Sequence, residues 1–191
     1  GQGWGRNPDI SITTIDGDVI QGGYVVFDVM RATKPDFALF QGDMIYADGP
    51  LPASKAIPEE VGGGTWINNP SLDFVAISLP DFRDNWKYNF GDEKMQSFLA
   101  EVPVYVQWDD HEVTNNWYPG EVLTGDDRYS EKSVSLLAAR ANRAFREMLP
   151  ITEHASEPGR VYRKVSYGPS LEIFFLDMRT YRAPNAATNL S

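Results

Sequence analysis

At 191 residues, with 42% hydrophobic and 13% aromatic side chains, the chain is long and apolar enough to fold around a core of its own, which excludes a disordered segment. A net charge of −10 argues against broad binding to a nucleic-acid backbone, and the lack of cysteine removes disulfide frameworks and thiolate chemistry. No apolar run approaches the ~20 residues a membrane-spanning helix needs. Acidity does not exclude phosphate chemistry, because cations bound at a carboxylate cluster reverse the local field. The sequence starts at Gly1-Gln2-Gly3-Trp4-Gly5 without Met, so the native N-terminus and any targeting signal are expected to lie outside it. A secreted or periplasmic location would follow if that missing part carries a signal.

In chain order, residues 1 to about 21 read as loop. Within them, Ile10 to Ile15 alternates as a short strand does, before a turn at Asp16-Gly17-Asp18. Tyr24 to Ala32 carries apolar residues at helical spacing and ends before Lys34-Pro35. Phe37 to Gln41 is a continuous apolar run, as in a strand covered on both faces. Residues 47–78 hold Pro50, Pro52, Pro58 and Gly62-Gly63-Gly64 and read as a long surface excursion. Phe82, Trp86 and Phe90 mark one helix. Met95, Phe98 and Leu99 mark a second, ending at Val102-Pro103. Val104 to Trp108 predicts a second buried strand, and 112–129 another loop. Val134 to Leu149 is amphipathic and stopped by Pro150. Val161–Tyr167 and Leu171–Leu176 read as a hairpin around Gly168-Pro169-Ser170.

Chemistry gathers where strands stop. The first strand runs into Gly42-Asp43. The second runs into Asp109-Asp110-His111-Glu112, followed by Asn115-Asn116. The third ends at Asp177-Met178-Arg179. Active sites in open α/β sheets form beyond the carboxyl ends of strands. Oxygen and imidazole ligands gathered there suit hard or borderline cations. Asp43 is either a carboxylate that bridges cations or a turn residue. Tyr46 is either a phenolate able to ligate a ferric ion or a packed tyrosine. His111, one of two histidines, is suited to ligation or to acid–base catalysis. Asn115 and Asn116 offer amide groups to a cation or a phosphate, or serve in capping. Arg179 either binds phosphate or closes an ion pair. Trp108, Trp117 and Tyr118 either wall a pocket or pack the loop. His154 lies in a polar stretch and reads as exposed. The convergence of strand ends points to metal-dependent hydrolysis, foremost of a phosphate ester.

Those residues carry a resemblance. Gly-Asp-Met-Ile-Tyr-Ala-Asp at 42–48, Trp-Asp-Asp-His-Glu with Asn115-Asn116 at 108–116, and Leu-Asp-Met-Arg-Thr-Tyr-Arg at 176–182 resemble the PhoD-type alkaline phosphatases. These belong to the calcineurin-like metallophosphoesterase superfamily. The resemblance implies an α/β fold, part of a four-layer α-β-β-α sandwich with metals at one edge. It implies hydrolysis of phosphomonoesters or phosphodiesters with metal ions, iron and calcium foremost, and a small-molecule phosphate ester as substrate. It assigns Asp43 as a bridging ligand, Tyr46 as a ligand to ferric iron, and Asp110 as a ligand standing where the superfamily's usual Asn stands. His111 would act at the phosphoryl group or leaving oxygen, with Arg179 beside it. Asn116 would contact metal and Asn115 substrate.

Two departures from the pattern matter. A Cys or Asp ligand would be expected on a strand before Gly1, and His-containing motifs after the last strand. Residues 1–191 are therefore expected to be one PhoD-like domain, incomplete at both ends and catalytically poor in isolation. Residues 10–21 look like an insertion. The alternative readings are a non-catalytic domain that retains the fold and some cation affinity, or a carbohydrate-binding domain stacking sugars on Trp66, Trp117 and Tyr118.

Overall fold

The computed structural model describes residues 11–13, 16–61, 63–68 and 71–184. In chain order it comprises strands β1 (Ser11–Thr13) and β2 (Val19–Gln21), helix α1 (Val25–Ala32), strand β3 (Ala38–Gln41) and strand β4 (Ser54–Ala56). Strand β5 (Thr65–Ile67), helices α2 (Leu79–Phe90) and α3 (Glu93–Glu101), and strand β6 (Val104–Gln107) follow. Helix α4 (Val134–Met148) and strands β7 (Arg163–Tyr167) and β8 (Leu171–Phe175) complete the order. The fold is mixed α/β with small sheets. Among the described residues no helix is long and apolar enough to cross a membrane.

The pairing that matters for function is parallel. β3 lies beside β6 in the register Ala38↔Val104 through Gln41↔Gln107, so both strands end at the same edge. The other pairs, β1–β2, β4–β5 and β7–β8, are antiparallel and join neighbours in sequence. Parallel strands need a long connection, and the chain between β3 and β6 carries the β4–β5 hairpin and both α2 and α3.

The helices form for readable reasons. α2 opens on a capping box: the Ser78 hydroxyl accepts from the Asp81 N–H, while Asp81 Oδ2 accepts from the Ser78 N–H at 2.7 Å. Pro80 sits in its first turn, where its missing N–H does no harm. Asp92 caps α3 by accepting from the Met95 N–H at 2.8 Å, and Ser133 caps α4. α4 buries one stripe, Val134, Leu137, Ala138, Ala141, Ala144 and Phe145, and packs on α2, while α1 packs on α3. Trp86 of α2 meets Phe145 of α4 at 5.9 Å between ring centroids, and Phe145 in turn meets Trp108 at 6.0 Å. The end of β6 is thereby seated on the helical core.

One expectation needs correcting. The apolar run of β3 is not covered on both faces: Phe40 packs toward Phe27 and Phe98, but Leu39 on the opposite face is 42% exposed. Among the described residues β3 has β6 as its strand partner, and its other face meets solvent. The long excursion over 47–78 carries local structure of its own. It holds the β4–β5 hairpin, a 3-10 turn at Glu59–Val61 and a Leu51↔Leu72 bridge. The strand expected over 10–15 is described only at Ser11–Thr13; Ile10, Thr14 and Ile15, like residues 1–9 of the expected loop, lie outside the described residues.

Candidate metal centre

Where β3 stops, the backbone turns left-handed twice, with φ of +98° at Gly42 and +53° at Asp43. Glycine is required at the first position. A Cβ on Gly42 would stand 2.4 Å from Asp109 Cβ and 2.6 Å from Asp109 N. The two strand-end turns touch at this point, and only a missing side chain allows it. Gly42→Ala is therefore expected to destabilise the protein by roughly 2–4 kcal/mol, from overpacking plus the left-handed penalty. Urea unfolding of the variant beside the parent measures this.

Beyond the contact, one ligand atom from each of Asp43, Asp110 and His111 lies within 4.8 Å of the others. The Asp110 carboxylate is buried, accepting from the His111 N–H at 3.1 Å and the Asn116 N–H at 2.6 Å. His111 Nδ1 is held by the carboxylate of Asp48, at 2.8 and 3.0 Å from its two oxygens. Asp48 Oδ2 also accepts from the Asn115 N–H at 2.8 Å. The Tyr46 ring stacks on the His111 imidazole, with centroids 4.1 Å apart and planes 25° apart, and its hydroxyl stands 3.5 Å from Asp43 Oδ2. A backbone bond from the Ala47 N–H to the His111 carbonyl, 2.8 Å, locks the two loops in register.

Arg179 closes the third side. Its Nε donates to Asp109 Oδ1 at 2.6 Å, and its Nη2 lies 3.4 Å from Asp110 Oδ2. Its Nη1 is buried and meets no acceptor among the described residues. Asp177 anchors this turn by accepting from Trp108 Nε1 at 3.1 Å and from the Thr180 N–H at 2.9 Å. Arg179 and Arg182, with Gln41, Gln107, Asp109 and Met178, line a cleft of about 570 Å³.

The electrostatics favour a cation. Burial raises the Asp43 pKa above the ordinary carboxylate value, and the charges of Asp110 and Asp109 add to that rise against the opposing pull of His111. Burial alone would lower the His111 pKa, but the Asp48 hydrogen bond and charge, helped by Asp110 and Asp43, outweigh it and raise it. Two carboxylates and an imidazole within 4.8 Å of one another form an oxygen-rich donor set that fits a hard or borderline cation.

The expected residues thus divide. Asp43, Asp110, His111, Tyr46 and Arg179 meet at one strand-end edge. Asn115 and Asn116 are exposed, and their backbone N–H groups tie them to the cluster through Asp48 and Asp110. Trp108 and Trp117 pack edge-on at 5.7 Å inside the core. With Trp117 only 2% exposed, the sugar-stacking alternative loses its central ring. His154 is exposed, as expected. Two residues escaped the sequence reading. Asp48 looked like part of a loop, although the Gly42 to Asp48 motif reached it. Glu112, 1% exposed, looked like one more member of an acidic run. The apolar Val113 directly after Glu112 was the available signal.

Comparison with known proteins gives three consistent findings. The model of a family described as PhoD-like phosphatase matches residues 2–191. Alkaline phosphatase D of Bacillus subtilis (strain 168) is 29% identical over 168 residues, which are 86% of this chain and 27% of that protein. The solved structure of PhoD superposes with a TM-score of 0.64 at 25% identity, covering 86% of this chain and 30% of that one. The chain therefore spans less than a third of the length of either relative.

Proposed function

Because the chain belongs to the PhoD-like phosphatase family, we propose that its strand-end cluster is part of a metal-dependent phosphoesterase centre that hydrolyses small phosphate esters, monoesters and diesters alike. The observation that carries this reading is the approach of Asp43, Asp110 and His111 to within 4.8 Å. Residues 1–191 are one unit of a larger PhoD-like domain, and β3 and β6 belong to one sheet of a four-layer α-β-β-α sandwich.

Asp43, Asp110 and Tyr46 hold the cations, with Asn116 beside them; iron and calcium are the metals proposed. A cation held there supplies Lewis acidity, neutralising phosphoryl oxygens and acidifying water. The chain's own groups do the rest. With Nδ1 on Asp48, His111 presents Nε2 to the phosphoryl group and can pass a proton to the leaving oxygen. Arg179, its guanidinium oriented by Asp109, offers the buried Nη1 to a phosphoryl oxygen. Asn115 lies at the rim, toward substrate.

The test is hydrolysis of p-nitrophenyl phosphate and bis(p-nitrophenyl) phosphate by full-length protein, before and after chelation and after return of iron with calcium. Activity that is lost on chelation and restored by metal is the expected result. Turnover indifferent to chelation would overturn metal dependence, and turnover of the monoester alone would narrow the substrate class.

A further inference from the structure

Glu112 lies inside this site without facing it. It is 1% exposed, and no cationic side chain pairs with it in the hydrogen-bond and ion-pair network of the described residues. Its partners are backbone. Oε1 accepts from the Met44 N–H at 2.7 Å, Oε2 accepts from the Asp109 N–H at 2.7 Å, and the Asp43 N–H also bonds to the carboxylate. The first and third donors belong to the turn after β3, and the second belongs to the turn after β6. One rigid carboxylate therefore bridges the two turns that carry the candidate ligands.

Resting on the reading of the cluster as a cation site, we infer that Glu112 is a positioning residue: it fixes Asp43 opposite Asp110 and His111 by tying both strand-end turns to one carboxylate. The backbone explains the need. Asp43 is a non-glycine residue at φ +53°, a conformation that persists only where its surroundings impose it. Consecutive N–H groups in such a turn form a concavity that binds an anion. Here the chain supplies the acceptor itself, in the Glu112 side chain. The separation of the two carboxylate oxygens then sets how far the Asp43 turn stands from the Asp109 turn, while contact at Gly42 prevents closer approach. Ligand sites tolerate little misplacement, so a strut that holds two ligand-bearing turns controls affinity without touching the ion.

Glu112→Gln tests this at nearly constant volume. It keeps one acceptor but sets an amide N–H₂ against a backbone N–H, so one turn is released. Glu112→Asp keeps the charge but is one methylene too short to span both turns. Co²⁺ titration of chelated full-length protein, followed by its visible absorption, reads affinity and ligand geometry together. The Gln variant is expected to bind Co²⁺ about 10-fold or more weakly with an altered band, as second-layer substitutions at metal sites do, and the Asp variant to fall between it and the parent.

A Gln variant that is less stable but binds Co²⁺ with the parent's affinity and band shape would overturn the inference, leaving Glu112 a purely structural residue. Should the Gln variant not fold, parent-like binding by the Asp variant would overturn it equally. Asp43→Asn separates this outcome from failure of the underlying reading. If Asp43→Asn binds Co²⁺ like the parent, the cation site itself falls; if it loses Co²⁺ while the Glu112 variants do not, only the positioning role falls.

Discussion

Asp43→Asn is expected to empty the site, with cation affinity falling roughly 100-fold or more, beyond what substitutions one layer further out cause. The substitution preserves shape and removes one negative charge from a cluster whose mutual repulsion a cation would otherwise relieve. Asn also matches the backbone better than most residues, because it tolerates the left-handed conformation that Asp43 holds at φ +53°. A loss of metal can therefore be assigned to the missing charge rather than to a misfolded turn. Metal per chain, measured by elemental analysis after dialysis against limiting metal, is the readout. Full retention would move Asp43 out of the first coordination shell and return it to the role of a turn residue.

His111→Ala should separate chemistry from binding. Turnover is expected to fall roughly 10²- to 10⁴-fold, the usual contribution of a positioned acid or base, with far less change in metal content. The geometry supports the asymmetry. Nδ1 of His111 is engaged by Asp48, and the ring stacks on Tyr46, so the imidazole is oriented by the protein before any ligand arrives. kcat measured on metal-replete variant protein, alongside its metal stoichiometry, decides the matter. Equal losses of both would place His111 among the principal ligands, and undiminished turnover would remove it from the mechanism.

Much of this architecture was legible beforehand, for physical reasons that differ by element. The helices α2, α3 and α4 each bury one stripe, so residues such as Phe82 with Trp86, and Leu137 with Phe145, appear at helical spacing in the bare sequence. The parallel strands were visible as apolar runs, but a run does not say which faces are covered, and Leu39 shows the error that follows. The β4–β5 hairpin stayed hidden because Ser54, Lys55 and Ala56 are all exposed and carry no alternation to read. Within the site, ligands at strand ends announce themselves by type and position. Asp48 does not. In Ala47-Asp48-Gly49-Pro50 it has the composition of a turn, and only its approach to His111 reveals its use. Glu112 was masked in the opposite way, by three ionisable neighbours that made burial look improbable.

The bonds that build the site join distant parts of the chain: 63 residues separate Asp48 from His111, 68 separate Met44 from Glu112, and 70 separate Asp109 from Arg179. Loops of that size must close before any of these contacts is rewarded, whereas α2, α3 and the short hairpins can form from neighbours alone. The carboxylates accordingly share no common location until β3 has docked beside β6. A cation arriving earlier would meet scattered acids, while one that binds only after the rate-limiting step would slow unfolding more than it speeds folding. A cation bound at this site would then be a latch on the finished fold rather than a seed for it.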